Sequence, residues 1–409
     1  MQSNPAAALP RPESLDLSLR EGRPCRVFVR VDYNVPIREG RVTDDLRIKE
    51  STRTLEWLLR RDTVLVLCSH LGRPKGKVVP ELSLRPVAER LEELLGARVE
   101  LLPLPPAEAT ASAVREAKPG SIFLLENVRF DPREEAGEEG FARELASLAD
   151  VYVNEAFSAS HREHASVTGV PRLLPHAAGF GLLHEVSMLS RLLDPERRPY
   201  VAVLGGAKVR DKLGVVQSLL EKVDGLIVGG GMALSFLAAK GLKMGSGRVE
   251  PEFFEDLRKA IGDAEAAGKR VLLPVDLVVA ERFEEAAPHS VCSVDEVPEG
   301  TYPVDIGPRT IEIFAEAIEE ARTVFWNGPM GVFEWQPFCG GTFAVAEAIA
   351  RCDGFTVVGG GDTAAALRAS GHEGDVTYVS TGGGASLEFV RDGDLPGLRV
   401  LRESPVAGA

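Results

Sequence analysis

The chain reads Val201-Ala202-Val203-Leu204-Gly205-Gly206-Ala207-Lys208-Val209-Arg210-Asp211-Lys212, an apolar run that ends in two glycines and continues into a segment with two lysines. A continuous apolar run is typical of a strand buried on both faces of a parallel sheet. Glycine allows backbone N–H groups to approach a phosphate closely where the following helix begins. Lys208 and Lys212 are four residues apart, so we expect them to share a face of that helix near its positive end. The alternative is a pair of solvated lysines with no ligand.

Other apolar runs differ in how they end. In the C-terminal half, four more runs end in glycine-rich turns: Leu226–Val228, Val324–Trp326, Thr356–Val358 and Tyr378–Ser380. In the N-terminal half, three runs are followed by polar or cationic side chains: Val27–Val31, Val64–Cys68 and Ile122–Leu125. Ligands of parallel sheets lie beyond the carboxyl ends of the strands, and arginine binds phosphate and carboxylate in a bidentate fork. The contrast predicts a nucleotide site in the C-terminal half and a small-anion site in the N-terminal half, facing each other across a cleft.

Longer amphipathic segments alternate with these runs, and six of them are predicted to be helices: Asp45–Arg61, Arg85–Leu95, Glu138–Leu148, Asp211–Glu221, Pro308–Glu320 and Thr342–Arg351. Alternating strands and helices predict an α/β fold with two similar-sized, Rossmann-like domains, each with a parallel sheet. Between the halves, Phe180–Leu193 is predicted to be a hinge helix because prolines flank it. We predict an N-terminal domain over residues 1–178, a hinge segment over 179–199, a C-terminal domain over 200–395 and a tail over 396–409.

The composition excludes several classes of protein. The 409 residues carry a net charge of −14, which argues against a nucleic-acid partner. No stretch reaches the roughly 20 apolar residues of a membrane span, and Met1–Asp16 lacks the apolar core of a signal peptide. The five cysteines show no metal-ligand spacing. We therefore expect a cytoplasmic protein with free thiols and no membrane partner.

Two common nucleotide motifs fit poorly. No GxxxxGK[ST] string occurs, which argues against a P-loop enzyme. Gly359–Ala364 matches G-x-G-x-x-A, a dinucleotide signal, but the next strand, Val376–Ser380, ends without the acid that binds ribose. A nicotinamide-dependent dehydrogenase is therefore the less favoured alternative.

Three polar residues of the C-terminal half are candidates for nucleotide binding. Asp362 follows a triple glycine and suits Mg²⁺, which binds through one or two carboxylates and the substrate's phosphates. Its alternative role is only to cap the next helix. Thr363 offers a hydroxyl and an N–H to phosphate, and Glu334 can accept hydrogen bonds from ribose hydroxyls at the end of the loop Trp326–Glu334.

The N-terminal half concentrates cations in loops after its strands. His70 and Arg73 follow one strand and Arg129 another, and together with Arg47 and Arg162 they fit a clamp for phosphate and carboxylate. Each alone would more often be a surface group. Metal binding by His161 and His164 is an alternative, but no carboxylate or cysteine set completes such a site.

Seven strings together resemble the phosphoglycerate kinase family, in its order and approximate spacing, from Arg26 to Leu401: Arg30–Pro36, Ser69–Pro74, Leu125–Phe130, Gly205–Lys212, Trp326–Glu334, Gly359–Thr363 and Ser380–Gly384. The resemblance implies reversible phosphoryl transfer between 1,3-bisphosphoglycerate and MgADP, which gives 3-phosphoglycerate and MgATP. It also implies a monomer whose C-terminal tail, with Pro396–Leu401, returns to the N-terminal domain.

The resemblance assigns the acceptor to the N-terminal half. Asp32 and Asn34 would hold the hydroxyl and carboxylate end of the glycerate, and Arg47 would contact the transferring group. The full set implied for 3-phosphoglycerate is Asp32, Tyr33, Asn34, Arg47, His70, Leu71, Gly72, Arg73, Arg129 and Arg162.

The resemblance assigns MgATP or MgADP to the C-terminal half. Lys208 would meet the phosphoryl group during transfer, and Gly383, in the triple glycine, would point its N–H at the same group. Glu334 would hold the ribose and Asp362 the Mg²⁺. The full nucleotide set is Gly206, Lys212, Gly230, Asn327, Pro329, Glu334, Gly360, Gly361, Asp362 and Thr363.

Three of the residues that depart from the family's pattern lie in the segment Asn154–His164. Glu155 stands where aspartate is usual, Ser158 where glycine is usual, and Glu163 where a small residue is usual. Glu163 adds a negative charge beside the cations.

A catalytically silent, nucleotide-binding regulatory protein is a further alternative. The presence of Arg47, Lys208 and Asp362 argues against it.

Overall fold

A computed structural model of the chain describes residues 8–403. One compact unit, unit 1, holds the described residues up to Ser187 together with those from Asp394 onward, and unit 2 holds Met188–Gly393. The division lies inside the helix Phe180–Ser190. Residues 1–7 of the predicted N-terminal extension and residues 404–409 of the predicted tail lie outside the described part.

Unit 1 is built on a six-stranded parallel sheet. The strands of unit 1 are β1 (Arg26–Arg30), β2 (Ile37–Arg38), β3 (Arg41–Val42), β4 (Val64–Cys68), β5 (Val99–Leu102), β6 (Ile122–Leu125), β7 (Val151–Asn154) and β8 (His176–Ala178). The large sheet has the order β5-β6-β4-β1-β7-β8, and β2 and β3 form a separate hairpin. Its helices are α1 (Leu46–Leu59), α2 (Arg85–Leu95), α3 (Glu108–Arg115), α4 (Pro132–Glu135), α5 (Glu139–Ala146), α6 (Val170–Leu173) and α7 (Phe180–Ser190).

Unit 2 contains a second six-stranded parallel sheet. The strands of unit 2 are β9 (Tyr200–Leu204), β10 (Gly225–Val228), β11 (Arg270–Leu272), β12 (Asp276–Ala280), β13 (His289–Ser293), β14 (Tyr302–Ile306), β15 (Thr323–Asn327), β16 (Phe355–Gly359) and β17 (Tyr378–Ser380). The parallel sheet has the order β11-β10-β9-β15-β16-β17, and β13-β12-β14 form a small antiparallel sheet. Its helices are α8 (Leu213–Lys222), α9 (Gly230–Ala239), α10 (Phe254–Ala266), α11 (Pro308–Glu319), α12 (Gly340–Arg351), α13 (Gly361–Ala369) and α14 (Gly384–Asp392).

The central strands are covered on both faces, as their continuous apolar runs predict. All five residues of β4 are buried, and so are all five of β9 and of β15. Helix α2 shows how an amphipathic segment is bounded, since a proline lies in its first turn and Gly96, with φ +61°, ends it in the left-handed conformation. Its buried face includes Leu91, whose replacement by alanine should cost roughly 2–5 kcal/mol.

The last described residues also belong to unit 1. A short helix, α15 (Pro396–Arg399), follows α14, and Gly397 N donates to Ser160 O at 2.7 Å. A Cβ atom at Gly397 would lie 2.9 Å from Ser160 Cα, so this contact requires glycine.

The predicted α/β class with two parallel sheets is confirmed. The predicted helix face shared by Lys208 and Lys212 is wrong, because α8 begins only at Leu213. The residues before α8 form a loop, in which Val209 N donates to the Glu250 carboxylate at 2.6 Å. The antiparallel sheet β13-β12-β14 was not predicted. Among the described residues, no helix has the length and apolar character needed to span a membrane.

Candidate functional site

Asp32 lies in the turn after β1, at the centre of the predicted small-anion site of the N-terminal half, which we call the N-terminal half-site. Its Oδ2 accepts from Arg47 NH1 at 2.8 Å and from Ser158 Oγ, and its Oδ1 accepts from Asn34 N at 3.1 Å. The side chain is only 10% exposed. Burial raises the pKa of Asp32, but the charge of Arg47 and the hydrogen bonds from Ser158 and Asn34 outweigh burial, and the pKa is lowered. Asp32 is therefore an ionised acceptor.

A second set of contacts ties together the turns after β1, β4 and β6. Gly72 N donates to Asn34 Oδ1 at 2.9 Å, and Arg129 NH1 donates to Gly72 O at 3.0 Å. Asn127 anchors Leu71 through both backbone groups, accepting from its N at 3.2 Å and donating to its O at 2.7 Å. The sheet order places these strand ends side by side, so the structure brings Asn34, Gly72 and Arg129 into one network.

The histidines of this half-site are neutral, so its positive charge comes from arginine. Burial, and then Arg30, lowers the pKa of His70 well below its usual value. Burial also lowers the pKa of His161 to about 4 and that of His164 to about 3. Arg30 NH2 lies 3.3 Å from His70 Nδ1, and since a guanidinium only donates, Nδ1 accepts and the ring proton is on Nε2. His70 is thus a neutral donor, whereas the sequence predicted a cation.

A buried carboxylate beneath the arginines was missed by sequence reasoning. Glu134 is fully buried and accepts from Ser166 N at 2.9 Å and from Ser166 Oγ at 2.6 Å. Ser166 in turn accepts from Arg30 Nε at 2.8 Å. Burial raises the pKa of Glu134, although Arg30 opposes this change. The one hint of this partner in the sequence is Arg30, a charged residue inside the apolar run Val27–Val31.

Four residues of the set implied for 3-phosphoglycerate have side chains outside the network of Asn34, Gly72 and Arg129. The Tyr33 side chain is buried in the core, where its hydroxyl lies 2.9 Å from Ser51 Oγ, and Leu71 is also buried. Their backbone groups are also engaged, since Tyr33 N donates to Ser69 Oγ at 2.8 Å and Leu71 is bonded to Asn127 through both its N and its O. Arg73 and Arg162 are exposed beside the network.

In the C-terminal half, three glycine-containing turns interlock through their backbones. Gly205 N donates to Asn327 O at 2.9 Å, Gly206 N to Pro329 O at 2.9 Å, and Gly230 N to Met330 O at 3.0 Å. A Cβ atom at Gly205 would lie 2.1 Å from Pro329 O, so no side chain fits there. These turns follow the neighbouring strands β9, β10 and β15 and form a continuous backbone surface at the carboxyl ends of the strands.

Lys212 is held against that surface immediately before α8. Its Nζ donates to Gly205 O at 2.7 Å and to Asn327 O at 3.0 Å. Burial lowers the pKa of Lys212 to about 8, and the negative charges of Asp362 and Asp211 only partly offset burial. Lys208 is exposed in the same loop. A phosphate at this surface would therefore meet one partly desolvated lysine and one solvated lysine.

The turn after β16 is fastened to the turn after β15. Asn327 Nδ2 donates to Gly359 O at 2.6 Å, and the buried Thr363 Oγ1 accepts from Gly328 N at 2.7 Å. A Cβ atom at Gly360 would lie 2.8 Å from Asn327 Nδ2. The side chains of Asn327 and Thr363 thus brace the two turns.

The first turn of α13, at the positive end of the helix dipole, contains two residues that are exposed to solvent. Gly361 and Asp362 are both exposed there, and Asp362 is the acidic residue of that turn. Glu334 is also exposed, and Gly383 precedes α14 with φ +57°.

Asp305, a residue that sequence reasoning missed, supports the loop that carries Glu334. Its carboxylate is buried and accepts from Gly341 N at 2.7 Å and from Ile306 N at 2.9 Å. A Cβ atom at Gly331 would lie 2.3 Å from its Oδ1, so the loop packs directly on this carboxylate. Burial raises the pKa of Asp305 to about 7.

Among residues 8–403, no group of three or more histidine, cysteine, aspartate or glutamate side chains is arranged to hold a metal ion. His161 and His164 are therefore not part of such a cluster. An exposed single carboxylate, Asp362, fits a metal that takes its remaining ligands from phosphate and water, as Mg²⁺ does.

Comparison with known proteins gives a consistent result. A family model described as "Phosphoglycerate kinase" matches residues 18–393. The chain is 53% identical over 381 residues to "Phosphoglycerate kinase" of Moorella thermoacetica, covering 92% of this chain and 96% of that protein. It is 49% identical over 388 residues to the enzyme of the same name from Thermomicrobium roseum, covering 95% and 98%. Among solved structures, phosphoglycerate kinase from Coxiella burnetii matches with a TM-score of 0.85 and 37% identity, covering 96% of this chain and 98% of that one.

Proposed function

The chain belongs to the phosphoglycerate kinase family and is a phosphotransferase, and we propose that the two half-sites described above divide its substrates between them. Unit 1 binds 3-phosphoglycerate or 1,3-bisphosphoglycerate, and unit 2 binds ATP or ADP. One observation carries this division. Side chains form the polar surface at the strand ends of unit 1, whereas interlocked backbone turns and Lys212 form it in unit 2.

The acceptor is held by complementary charge and hydrogen bonding. Asp32 accepts the hydrogen bond of the glycerate hydroxyl, and the backbone and amide groups around Asn34 and Gly72 fix the carboxylate end. Arg129, with the exposed Arg73 and Arg162, binds the 3-phosphate. A guanidinium stays charged across the physiological pH range and forms two parallel bonds to phosphate, so arginines retain the anion when the histidines are neutral.

The nucleotide is held by backbone turns and by lysine. Gly206 and Gly230 line the nucleotide, Glu334 accepts from the ribose, and Gly360 and Gly361 direct N–H groups to the phosphates. Lys212 neutralises charge on the phosphates. Asp362 would hold Mg²⁺ together with those phosphates, and the bound ion would neutralise charge as the phosphoryl group moves.

Transfer itself requires positioning and charge neutralisation, with no covalent enzyme intermediate. Arg47 and Lys208 contact the transferring group from the acceptor and the nucleotide sides, and Gly383 donates its N–H to the same group. The reacting oxygen and phosphorus must come to roughly 3–3.5 Å of each other with water excluded. Each half-site is built within one unit, so we propose that binding of both substrates brings the units together about the segment of α7.

We further propose a cytoplasmic monomer that uses Mg²⁺. All five cysteines are free, as expected in a reducing compartment.

A coupled assay tests the proposed function. The purified chain receives 3-phosphoglycerate and MgATP, and a dehydrogenase reduces the acyl phosphate that forms, with loss of NADH absorbance as the readout. We expect turnover only when both substrates and Mg²⁺ are present, and excess EDTA should stop it. NADH loss that does not depend on 3-phosphoglycerate would contradict the proposal.

A further inference from the structure

Ser158 makes a contact that the proposed function does not yet use. It lies in the short 3-10 turn Phe157–Ala159 after β7, and its hydroxyl donates to Asp32 Oδ2, which belongs to the turn after β1. Strands β1 and β7 are neighbours in the sheet, so the contact joins two adjacent strand ends.

The contacts of Asp32 limit where a substrate hydroxyl can bind. Each carboxylate oxygen has about two acceptor positions. At Oδ2, Arg47 and Ser158 occupy both positions, and at Oδ1, Asn34 N occupies one. The remaining position on Oδ1 is the one that can accept a hydrogen bond from a ligand.

We propose that Ser158 is a positioning residue that fixes the orientation of the Asp32 carboxylate, so that the enzyme prefers acceptors with a hydroxyl group on carbon 2. The inference rests on the proposed function, which assigns the glycerate hydroxyl to Asp32. Arg47 cannot fix Asp32 alone, because it also donates to Asn34 O at 3.1 Å and is assigned to the transferring group. When Arg47 turns to that group, the short side chain of Ser158 still holds Oδ2.

The predicted consequence is a change in selectivity. Without the serine hydroxyl, the carboxylate can rotate, and its free position no longer points to one place. A misoriented carboxylate should weaken the hydrogen bond from the substrate hydroxyl without abolishing it, so the affinity for 3-phosphoglycerate should fall about three- to tenfold. An acceptor of the same length that lacks the hydroxyl does not use this position, so its affinity should be unchanged.

The test compares two acceptors by competition calorimetry: 3-phosphoglycerate and 3-phosphonooxypropanoate, which lacks the 2-hydroxyl. The variants are Ser158→Ala, Ser158→Gly and Ser158→Thr, the last of which keeps a hydroxyl. Ser147→Ala is the matched control, since Ser147 is exposed in the same unit and its hydroxyl donates to Glu144 O at 2.7 Å. Melting temperatures identify any variant that is broadly destabilised.

We expect Ser158→Ala and Ser158→Gly to lower the preference for 3-phosphoglycerate over the deoxy acceptor three- to tenfold, and Ser158→Thr and Ser147→Ala to preserve it. Equal weakening of both acceptors, or no change in preference, would overturn the inference. Asp32→Asn separates this failure from failure of the proposed function. If Asp32→Asn lowers the preference and Ser158→Ala does not, only the role of Ser158 is refuted, whereas no effect of Asp32→Asn refutes the assignment of Asp32 itself.

Discussion

Replacement of Lys212 by methionine should weaken MgADP binding and leave 3-phosphoglycerate binding unchanged. Lys212 Nζ already lies against the nucleotide surface, 2.7 Å from Gly205 O and 3.0 Å from Asn327 O. A hydrogen bond to a charged group contributes roughly 1.5–3 kcal/mol, so the affinity for MgADP should fall about 10- to 100-fold. Calorimetry with each ligand measures this directly. Equal weakening of both ligands would refute the separation of the half-sites.

The pH dependence provides a second measurement on the same variant. Burial lowers the pKa of Lys212 to about 8, so the free enzyme loses this charge above pH 8 and its affinity for MgADP should decline there. Lys212→Met should show no such decline. The unfolded chain binds the proton up to the ordinary lysine pKa of 10.5, so between pH 8 and 10.5 the unfolded state binds more protons, and this group makes folding more favourable as pH rises.

Lys222 offers a matched control for both measurements. It is also a partly buried lysine of the α8 region, and its Nζ donates to the carbonyl oxygens of Val390 at 2.8 Å and Arg391 at 3.1 Å. It lies at the opposite end of α8 from Lys212. Lys222→Met should therefore leave MgADP affinity within about twofold, and a loss equal to that of Lys212→Met would show that the effect is not specific to the nucleotide surface.

Four further outcomes are expected. Arg47→Ala should lower kcat about 10²–10³-fold with ADP affinity unchanged; lost ADP affinity at normal turnover would reverse its assignment. Asp362→Asn should raise the Mg²⁺ concentration needed for half-maximal rate, and an unchanged requirement would count against its metal role. Burial raises the pKa of Glu155 to about 8, so its folded form binds the extra proton and stability falls as pH rises from 4.5 to 8; Glu155→Gln should remove this loss and unfold at higher urea than wild type at pH 8, and equal midpoints would contradict the argument from burial. In small-angle scattering, the radius of gyration should fall most in the ternary complex, and an unchanged radius in all states would exclude closure.

Strands and helices with strong local patterns were predictable from sequence. The bounds of β4 and β6 agree with the prediction to the residue, because every position in them is apolar and buried. The same holds for α2, which a proline and a glycine bound. Strand β13 was missed because four of its five residues are exposed, so it carries no apolar run.

The charges and supports of the half-sites depend on tertiary neighbours and were less predictable. The sequence shows that His70 and Arg129 follow strands, but only burial beside Arg30 shows that His70 is neutral. Glu134 and Asp305 are single acidic residues in the sequence, and their roles arise from partners 32 and 36 residues away. The assignment of Lys212 to the nucleotide phosphates stays a prediction, and its position before α8 is known only from the structure.

The most direct measurement of the central claim is chemical detection of the acyl phosphate. The chain is incubated with 3-phosphoglycerate and MgATP in the presence of hydroxylamine, which converts an acyl phosphate into a stable hydroxamate. We predict that hydroxamate and ADP form in equal amounts, and that neither Asp32→Asn nor Lys212→Met reaches the wild-type rate at subsaturating substrate. ADP formed without hydroxamate would show hydrolysis of ATP in place of transfer to the carboxylate and would contradict the account.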